Sequence, residues 1–296
     1  MPNLTGIRRR YARKLRRKAH LRSRLLVRAF AEVRREDFMG PGPWKVIPGL
    51  AKRRSTHARK QNPFRSLLTY YRTTPDSNPR HIYEDLLVGI VPERLLNNGL
   101  PSFLARCLDA LELKRGNRVV HVGCGTGYYT AILAHVVGPR GKVIALEIDS
   151  EVAPRARENL SPHRNVEMLQ VDGTTYDPGT VDAIFVNAGA NFPCSTWLDS
   201  LSPDGRLVFP LITMAPGRAM GGVMYRIRRR NSIYEANVVS MVSIFPCVGA
   251  IEREADALVR EAFSRGGHQK VRTLRRDPHD RDPACWLHGS GFCLSE

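Results

Sequence analysis

The fold of this chain is decided by the stretch from Val119 to Thr130, VVHVGCGTGYYT. A β-rich run enters a loop with glycines at 123, 125 and 127, and a helical segment follows. The next β-rich run, KVIALEID from Lys142 to Asp149, contains the acid Glu147. Glycines let the backbone pass close to a ligand, and an acid at the end of the second strand can accept hydrogen bonds from both ribose hydroxyls. The pattern therefore predicts a nucleotide-cofactor site.

Elements that alternate around this stretch predict the fold class. Strand-like runs and helical spacing follow one another, which is typical of an α/β protein with a doubly wound, mostly parallel sheet. The predicted strands are 118–123, 142–147, 166–171, 182–187 and 206–210, with a further short strand within 83–101. The predicted helices are 101–113, 127–137, 150–160, 194–202 and 251–263. Two later runs, 221–229 and 236–246, are predicted to form an antiparallel pair that finishes the sheet.

The net positive charge of the chain is confined to its N-terminal quarter. Residues 1–72 hold 21 Lys and Arg against three Asp and Glu, whereas residues 73–296 hold 25 of each. We expect one basic amphipathic helix over 8–35 and mostly loop over 44–80. Such a surface attracts nucleic acid or an acidic partner through residues 8–60, although a solvated helix face would carry the same charges.

Compartment and metal content are inferred from what the sequence lacks. No run approaches the roughly 20 apolar residues that span a bilayer, so no membrane partner is expected. The Arg-rich start superficially suits a presequence, but its helical apolar spacing favours a helix packed on the domain. Six scattered cysteines indicate reduced thiols and a cytoplasmic location. The spacing of His279, Cys285, His288 and Cys293 fits no zinc pattern, so no metal site is predicted, and 286–287 and 292–294 are interpreted as apolar anchors.

The spacing of the glycines separates the candidate cofactors. A dinucleotide fingerprint, G-x-G-x-x-G, would place its third glycine at 128, where this chain has Tyr128. The chain also lacks the G-x-x-x-x-G-K-[ST] loop of nucleoside triphosphatases. The observed G-x-G-x-G resembles the loop of class I methyltransferases, which use S-adenosylmethionine (SAM). Val171-Asp172-Gly173 adds an acid and a glycine after the third strand.

Several signatures in order resemble the protein-L-isoaspartate O-methyltransferase family over about residues 20–249. They are Ala29-Phe30, Val33 to Phe38, Val119 to Thr130, Val171 to Gly173, Val181 to Asn187, Gly205 to Pro210 and Phe245-Pro246. The resemblance implies a Rossmann-like class I methyltransferase fold, SAM as cofactor, and methylation of isoaspartyl carboxylates in proteins or peptides. It also implies a cofactor-binding set: Gly123, Gly125 and Gly127 beside the methionine and ribose, Glu147 on the ribose, Asp172 and Gly173 on the adenine, and His121 and Asn187 nearby.

Two departures concern the acceptor and the first strand. Where the family has a Thr and a Ser before a Pro, this chain has Asn97 and Gly99 before Pro101, so Asn97, Asn98 or Ser102 are the candidate catalytic residues; a plain turn explains them equally well. Where the family has an acid before the first glycine, this chain has His121, which a packed strand residue would also explain. No general base is required, because a carboxylate with an ordinary pKa near ~4 is already anionic at pH 7.

The sequence is divided into three segments and leaves three alternative functions open. The segments are a basic helical arm and loop (1–80), a methyltransferase domain (81–249), and a C-terminal helix and tail (250–296). The first function is O-methylation of isoaspartyl or related aspartyl carboxylates. The second is methylation of another acceptor such as RNA, although 187–190 (NAGA) lacks the Asn/Asp-Pro-Pro-aromatic motif of adenine N-methyltransferases. The third is non-catalytic binding of SAM or nucleic acid. The sequence does not indicate an oligomeric state.

Overall fold

The computed structural model describes residues 3–48, 71–214 and 221–296. Its N-terminal segment is helical and basic, as predicted, but the prediction of one helix over 8–35 is wrong. Helix α1 (Leu4–Ala19) ends where His20 adopts a left-handed φ of 54°, and helix α2 (Arg24–Glu32) begins after Ser23, whose hydroxyl accepts the Leu26 N–H at 3.1 Å. A 3₁₀ turn at Arg35–Phe38 follows. The chain reverses because a cap and a left-handed residue separate two amphipathic segments.

A small antiparallel sheet lies next to these helices. Its strands are β1 (Lys45–Pro48), β2 (Arg72–Thr73), β3 (Leu86–Val91) and β4 (Leu96–Asn97), in the order β2-β1-β3-β4, with 3₁₀ turns at Pro79–Ile82 and Pro92–Arg94. The prediction of mostly loop over 44–80 is therefore wrong at the start of that range, where β1 lies, whereas residues 71–80 contain only β2 and the first residues of a 3₁₀ turn. The middle of the range, which includes the basic residues within 52–60, lies outside the described residues.

The doubly wound sheet begins with five parallel strands, and the predicted fold class is confirmed. In chain order the elements are α3 (Pro101–Asp109), β5 (Arg118–Val122), α4 (Tyr128–Val137), β6 (Lys142–Leu146), α5 (Val152–Leu160), β7 (Val166–Leu169), β8 (Val181–Val186), α6 (Ser195–Asp199) and β9 (Leu201–Thr213). The strand order is β7-β6-β5-β8-β9. The order reverses between β5 and β8, which is where open α/β sheets bind their ligands.

Antiparallel strands continue the sheet to ten strands within the described residues. They are β10 (Gly221–Arg230), β11 (Ile233–Ser243), β12 (Thr273–Arg275), β13 (Cys285–Gly289) and β14 (Phe292–Ser295), in the order β9-β10-β11-β12-β14-β13. Helix α7 (Arg253–Arg265) and a 3₁₀ turn at His268–Lys270 precede β12. The predicted antiparallel pair is confirmed as β10 and β11. The segments interpreted as apolar anchors, 286–287 and 292–294, lie in strands β13 and β14.

Alternation along the parallel strands produces two apolar layers. Side chains of successive strand residues point to opposite faces, so Val119 and Val120 belong to different layers. Val119 packs in a cluster with residues of α1 to α5, including Tyr11 and Phe30. Val120 packs in a cluster with residues of α6, α7, β13 and β14. The N-terminal helices thus share the core of the sheet. No helix within the described part of the chain has the length and apolar character needed to cross a bilayer.

Candidate active site

The glycine loop lies between the carboxyl end of β5 and the start of α4. Gly123, Gly125 and Gly127 have φ values of 70°, 56° and 95°, which only glycine adopts without strain. The N–H groups of Gly123 and Cys124 donate to the Leu146 carbonyl at 2.9 and 3.1 Å, which ties the loop to β6. The loop therefore has one defined shape at the switch point of the sheet.

Gly127 and Gly125 have different steric surroundings. A Cβ on Gly127 would lie 2.8 Å from Leu160, so this position allows α4 and α5 to pack. Apart from its chain neighbours, a Cβ on Gly125 would meet one described atom within 4 Å, Cδ1 of Ile90 at 3.7 Å, which is ordinary van der Waals contact. Gly125 therefore leaves a cradle above its backbone that a ligand can occupy.

Glu147 follows β6 and closes onto the same loop. Its Oε2 accepts the Gly125 N–H at 2.8 Å, and its Oε1 accepts the Asp149 N–H at 3.2 Å. Burial raises the pKa of Glu147, and the two backbone N–H groups oppose that rise. Each oxygen of a carboxylate has two lone pairs, so both oxygens still have room for a hydroxyl donor.

Asp172 and Gly173 follow β7, the strand that pairs with β6. Asp172 Oδ1 accepts the N–H and the hydroxyl of Thr174, at 2.8 and 2.7 Å, while Oδ2 accepts no hydrogen bond within the described residues. The carbonyl of Gly173 accepts the indole N–H of Trp197 at 2.7 Å. A Cβ on Gly249 would lie 2.9 Å from Asp172 Oδ2, so the backbone of Gly249 lies close to this oxygen. The acid is held rigidly with one free oxygen.

Asn187 lies at the carboxyl end of β8, next to the glycine loop. Its N–H donates to the Val122 carbonyl at 2.9 Å, and its side-chain amide lies 3.5 Å from the Gly123 carbonyl. The predicted residues after β5, β6, β7 and β8 are therefore brought to one edge of the sheet.

His121 is placed in the core instead of at that edge. Its side chain is fully buried, stacks on Phe185 with ring centroids 5.1 Å apart, and shares a hydrogen bond of 2.9 Å between Nδ1 and the Thr130 hydroxyl. Burial lowers the pKa of His121 to about 3, so the imidazole is neutral at pH 7. These contacts favour the packing interpretation of His121 over contact with a cofactor.

The turn before α3 contains the three candidate catalytic residues in different surroundings. Asn97 is half-buried, and its side chain hydrogen-bonds within the turn, to the Leu95 carbonyl at 3.1 Å and the Gly99 N–H at 2.9 Å. Asn98 is buried, and its Oδ1 accepts the Val88 N–H at 3.0 Å. The Ser102 hydroxyl is buried and donates to Asp85 at 2.8 Å. Only Asn97 is partly open to solvent.

Arg35, which the sequence reasoning did not single out, supports that turn from inside the protein. Its guanidinium is fully buried, pairs with no carboxylate of the described residues, and lies 5.8 Å from the ring centroid of Tyr128 at the start of α4. It donates to four oxygens: the carbonyls of Ile82, Glu84 and Leu86, and Oδ1 of Asn98. Its position in the family-like run Val33 to Phe38 was the signal available in the sequence.

The β3–β4 hairpin lies beside the glycine loop, with Cδ1 of Ile90 near Gly125, and sequence reasoning missed this as well. Arg94 in this hairpin forms ion pairs with Asp149, and with Glu151 at 3.1 Å. Arg155 on α5 donates to the Ile90 carbonyl at 3.0 Å. These bonds connect the hairpin to the segment that carries Glu147. No motif marks Arg94, because its partners lie more than 50 residues away.

Comparison with known proteins shows one matching family model and several relatives of similar sequence. The family model described as protein-L-isoaspartate(D-aspartate) O-methyltransferase (PCMT) matches residues 73–251. A protein-L-isoaspartate O-methyltransferase of Ignicoccus hospitalis is 34% identical over 174 residues, which are 57% of this chain and 80% of that protein. Protein-L-isoaspartate O-methyltransferase 2 of Archaeoglobus fulgidus is 37% identical over 141 residues, which are 46% of this chain and 64% of that protein.

Two solved structures share the fold. One, a protein-L-isoaspartate O-methyltransferase, has a TM-score of 0.62 at 21% identity and covers 87% of this chain and 69% of its own. The other is a putative protein-L-isoaspartate O-methyltransferase from Plasmodium falciparum in complex with S-adenosyl-L-homocysteine, with a TM-score of 0.56 at 18% identity, covering 81% of this chain and 97% of its own. At these identities the likeness concerns the fold alone.

Proposed function

This chain belongs to the protein-L-isoaspartate O-methyltransferase family and is a SAM-dependent methyltransferase, and we propose that it methylates L-isoaspartyl carboxylates in proteins or peptides. The observation that carries the proposal is the contact between Gly125 and Glu147 at the switch point of the sheet. This contact places a ligand cradle and a carboxylate side by side, which is the arrangement that an adenosine-containing cofactor requires.

The residues at the switch point fit SAM chemically. We assign the ribose hydroxyls to Glu147, whose oxygens keep free lone pairs, and the adenine amino group to Oδ2 of Asp172. The loop of Gly123, Gly125 and Gly127 would hold the remainder of the cofactor. We assign Gly173 and Asn187 to the walls of the proposed SAM site, and we assign His121 a supporting role in the core beneath β5.

The acceptor side is assigned to the turn before α3. When bound, SAM supplies a methyl group on a sulfonium, which an anionic carboxylate can accept without a general base. The task of the protein is then to hold the acceptor carboxylate in line. Asn97 is suited to this contact because it is partly open, and its amide nitrogen carries a second N–H, near the Tyr71 hydroxyl, besides the one that bonds the Leu95 carbonyl. We assign positioning roles to Asn98 and Ser102, which are buried and already hydrogen-bonded.

Transfer of labelled methyl from SAM to an isoaspartyl peptide and to its aspartyl twin tests the proposal. We expect base-labile methyl groups, released as methanol, on the isoaspartyl peptide only. Asn97→Ala is expected to lower this rate while SAM binding in calorimetry is retained, and Asn237→Ala, in the middle of β11, serves as the control. SAM binding without transfer to either peptide would indicate another acceptor such as RNA. Absence of SAM binding would indicate a non-catalytic relative.

An additional interaction surface is proposed for the exposed face of α1. Five arginines on this face have no ion pair with any described residue: Arg9, Arg10, Arg13, Arg16 and Arg17. By contrast Lys14 and Lys18, on the docked side, pair with Glu84 and Asp85. A cavity of about 840 Å³ is lined by four of the arginines with His20 and Leu21. Unpaired arginines at this density favour an acidic partner, which we propose to be an acidic segment of the acceptor protein.

Binding of a poly-glutamate peptide over a salt series tests this surface. Replacing Arg10, Arg13, Arg16 and Arg17 by Gln is expected to abolish the binding and its salt dependence. The control replaces four exposed arginines that also lack an ion pair with any described residue and that lie apart: Arg140, Arg157, Arg164 and Arg253. Equal losses in both variants would contradict a specific surface. Tighter binding of RNA than of the peptide would assign the surface to nucleic acid instead.

A further inference from the structure

Four potential metal ligands meet at the far edge of the main sheet. They are His279 in the loop before β13, Cys285 and His288 on β13, and Cys293 on β14, and are named the C-terminal cluster below. One ligand atom from each lies within 4.8 Å of the other three. Both cysteines are buried and carry free thiols. Two thiols and two imidazoles are a donor set that selects zinc among the common divalent ions.

We propose that the C-terminal cluster binds one Zn²⁺ ion in a tetrahedral structural site. A tetrahedral ion at the usual Zn–S and Zn–N distances separates its ligand atoms by roughly 3.4–3.8 Å. Cys285 Sγ and His279 Nε2 are already 3.6 Å apart. Four protein ligands leave no open coordination position, so the ion stabilises the fold and takes no part in chemistry.

The surroundings of the cluster already favour ligation. Nδ1 of His279 lies 2.7 Å from the Asp277 carbonyl, which holds the ring with Nε2 towards Cys285. Metal-bound histidines are normally held by such a bond from the second ring nitrogen. The Asp282 N–H donates to Cys285 Sγ at 3.4 Å, as it would to a thiolate. Nδ1 of His288 is buried without a hydrogen-bond partner in the described part of the chain, which an ion would supply.

An irregularity in the hairpin explains why the spacing along the chain fits no familiar zinc pattern. His288 lies directly opposite Cys293 across the β13–β14 pair, while the register shifts between Cys285 and Leu287. In a regular strand, residues three apart point to opposite faces. The bulge inserts one extra residue and re-aims the side chain, so Cys285 and His288 reach the same cluster. The sequence-based prediction of no metal site rested on spacing alone.

The proposed ion would secure the edge of the sheet against α7. Trp286, next to Cys285, lies 5.4 Å from Phe263 of α7 between ring centroids, and its indole N–H donates to the Gly266 carbonyl at 2.6 Å. The C-terminal cluster connects the loop of His279 to β13, which carries Trp286, and to β14, which pairs with β13. Loss of the ion is therefore expected to loosen the contact between β13 and α7.

Metal content of the full chain, purified under reducing conditions from zinc-containing medium, tests the proposal. We expect one zinc per chain, and visible absorption of tetrahedral Co²⁺ bound to thiolates after cobalt exchange. Two double variants, Cys285→Ser with Cys293→Ser and His279→Gln with His288→Gln, are expected to bind none. The controls Cys107→Ala and His81→Gln, outside the cluster, are expected to keep one zinc.

Chelation of the unmodified protein covers the case in which the double variants fail to fold. Removal of zinc is expected to lower the melting temperature, and added Zn²⁺ is expected to restore it. A reduced chain with no zinc and no cobalt spectrum would overturn the proposal, as would a Cys285–Cys293 disulfide found by mass spectrometry. Metal content is measured without methyl transfer, so the result is independent of the proposed function.

Discussion

The Gly125 N–H donates to Oε2 of Glu147 at 2.8 Å, so the glycine loop is bonded to the carboxylate that follows the next strand. The two residues are 22 positions apart and come from separate loops. Their contact exists because β5 and β6 run parallel and in register, from Arg118 opposite Lys142 to Val122 opposite Leu146. The parallel pairing therefore brings the two parts of the candidate cofactor site together.

Replacing Glu147 by Gln is expected to weaken SAM binding. The amide keeps the shape of the side chain but replaces one acceptor oxygen by a donor, and hydrogen bonds to a charged group contribute about 1.5–3 kcal/mol, or roughly 10- to 150-fold in affinity. Calorimetric titration with SAM measures the change. Glu158→Gln, an exposed residue of α5, is the matched control. Unchanged affinity in Glu147→Gln would remove the ribose assignment.

Binding of SAM is also expected to weaken on acidification. Burial raises the pKa of Glu147, so this carboxylate gains its proton at a higher pH than an exposed glutamate does. The protonated form accepts hydroxyl donors less well, and affinity should fall as the pH drops through that raised pKa. Titrations at a series of pH values measure this, and Glu147→Gln should show a flatter profile. The same slope in both proteins would assign the effect to another group.

Gly125→Ala is expected to abolish SAM binding while lowering the melting temperature only slightly. The new methyl would fill the cradle at a φ of 56°, and the left-handed backbone costs about 1–2 kcal/mol. Gly179→Ala is the matched control, because Gly179 has a φ of 65° and open space around its Cβ position. Melting temperatures should fall alike in both variants, while only Gly125→Ala loses affinity. Equal affinities would show that the cradle does not face the cofactor.

His121 is expected to make the fold sensitive to acid. Its pKa is lowered to about 3 in the fold, against about 6.5 in the unfolded chain, so the unfolded state binds the extra proton between these values. Stability is full above pH 6.5 and falls towards pH 3, with about 2 kcal/mol lost at pH 5. Urea unfolding at pH 7 and pH 5 should therefore show a smaller loss for His121→Gln than for the unmodified protein. His20→Asn, at an exposed helix end, should retain the full loss.

Arg35→Lys is expected to destabilise the protein by about 3 kcal/mol or more, because a lysine cannot serve the four oxygens that the guanidinium reaches. Arg34→Lys, at an exposed neighbour paired with Asp37, should change stability by about 0.5 kcal/mol at most. Chemical denaturation compares the two. A small effect of Arg35→Lys would mean that water or backbone shifts replace the lost hydrogen bonds.

Local sequence patterns explain which secondary-structure elements could be predicted. The runs at Val119 and Lys142 are short and apolar. Glycines separate the first run from α4, and the polar residues 147–151 separate the second from α5, so strand, loop and helix are visible in one window. The same holds for the pair β10 and β11, which a short turn joins. By contrast the break at His20 and the strands β1 and β2 depend on a left-handed residue and on pairing partners far along the chain. A window of sequence does not contain that information.

The sequence by itself predicted the parallel sheet from the periodicity of its strands and helices, and the glycine loop and the acids Glu147 and Asp172 from their positions directly after predicted strands, because each of these signals is local. Only the tertiary structure decided which polar side chains meet. It places His121 in the core, brings Arg35 to Asn98 from 63 residues away, and gathers the C-terminal cluster through a bulge. The physical reason is that hydrogen bonding and ligation depend on distances between atoms, and chain spacing determines those distances only after strands have paired and helices have packed.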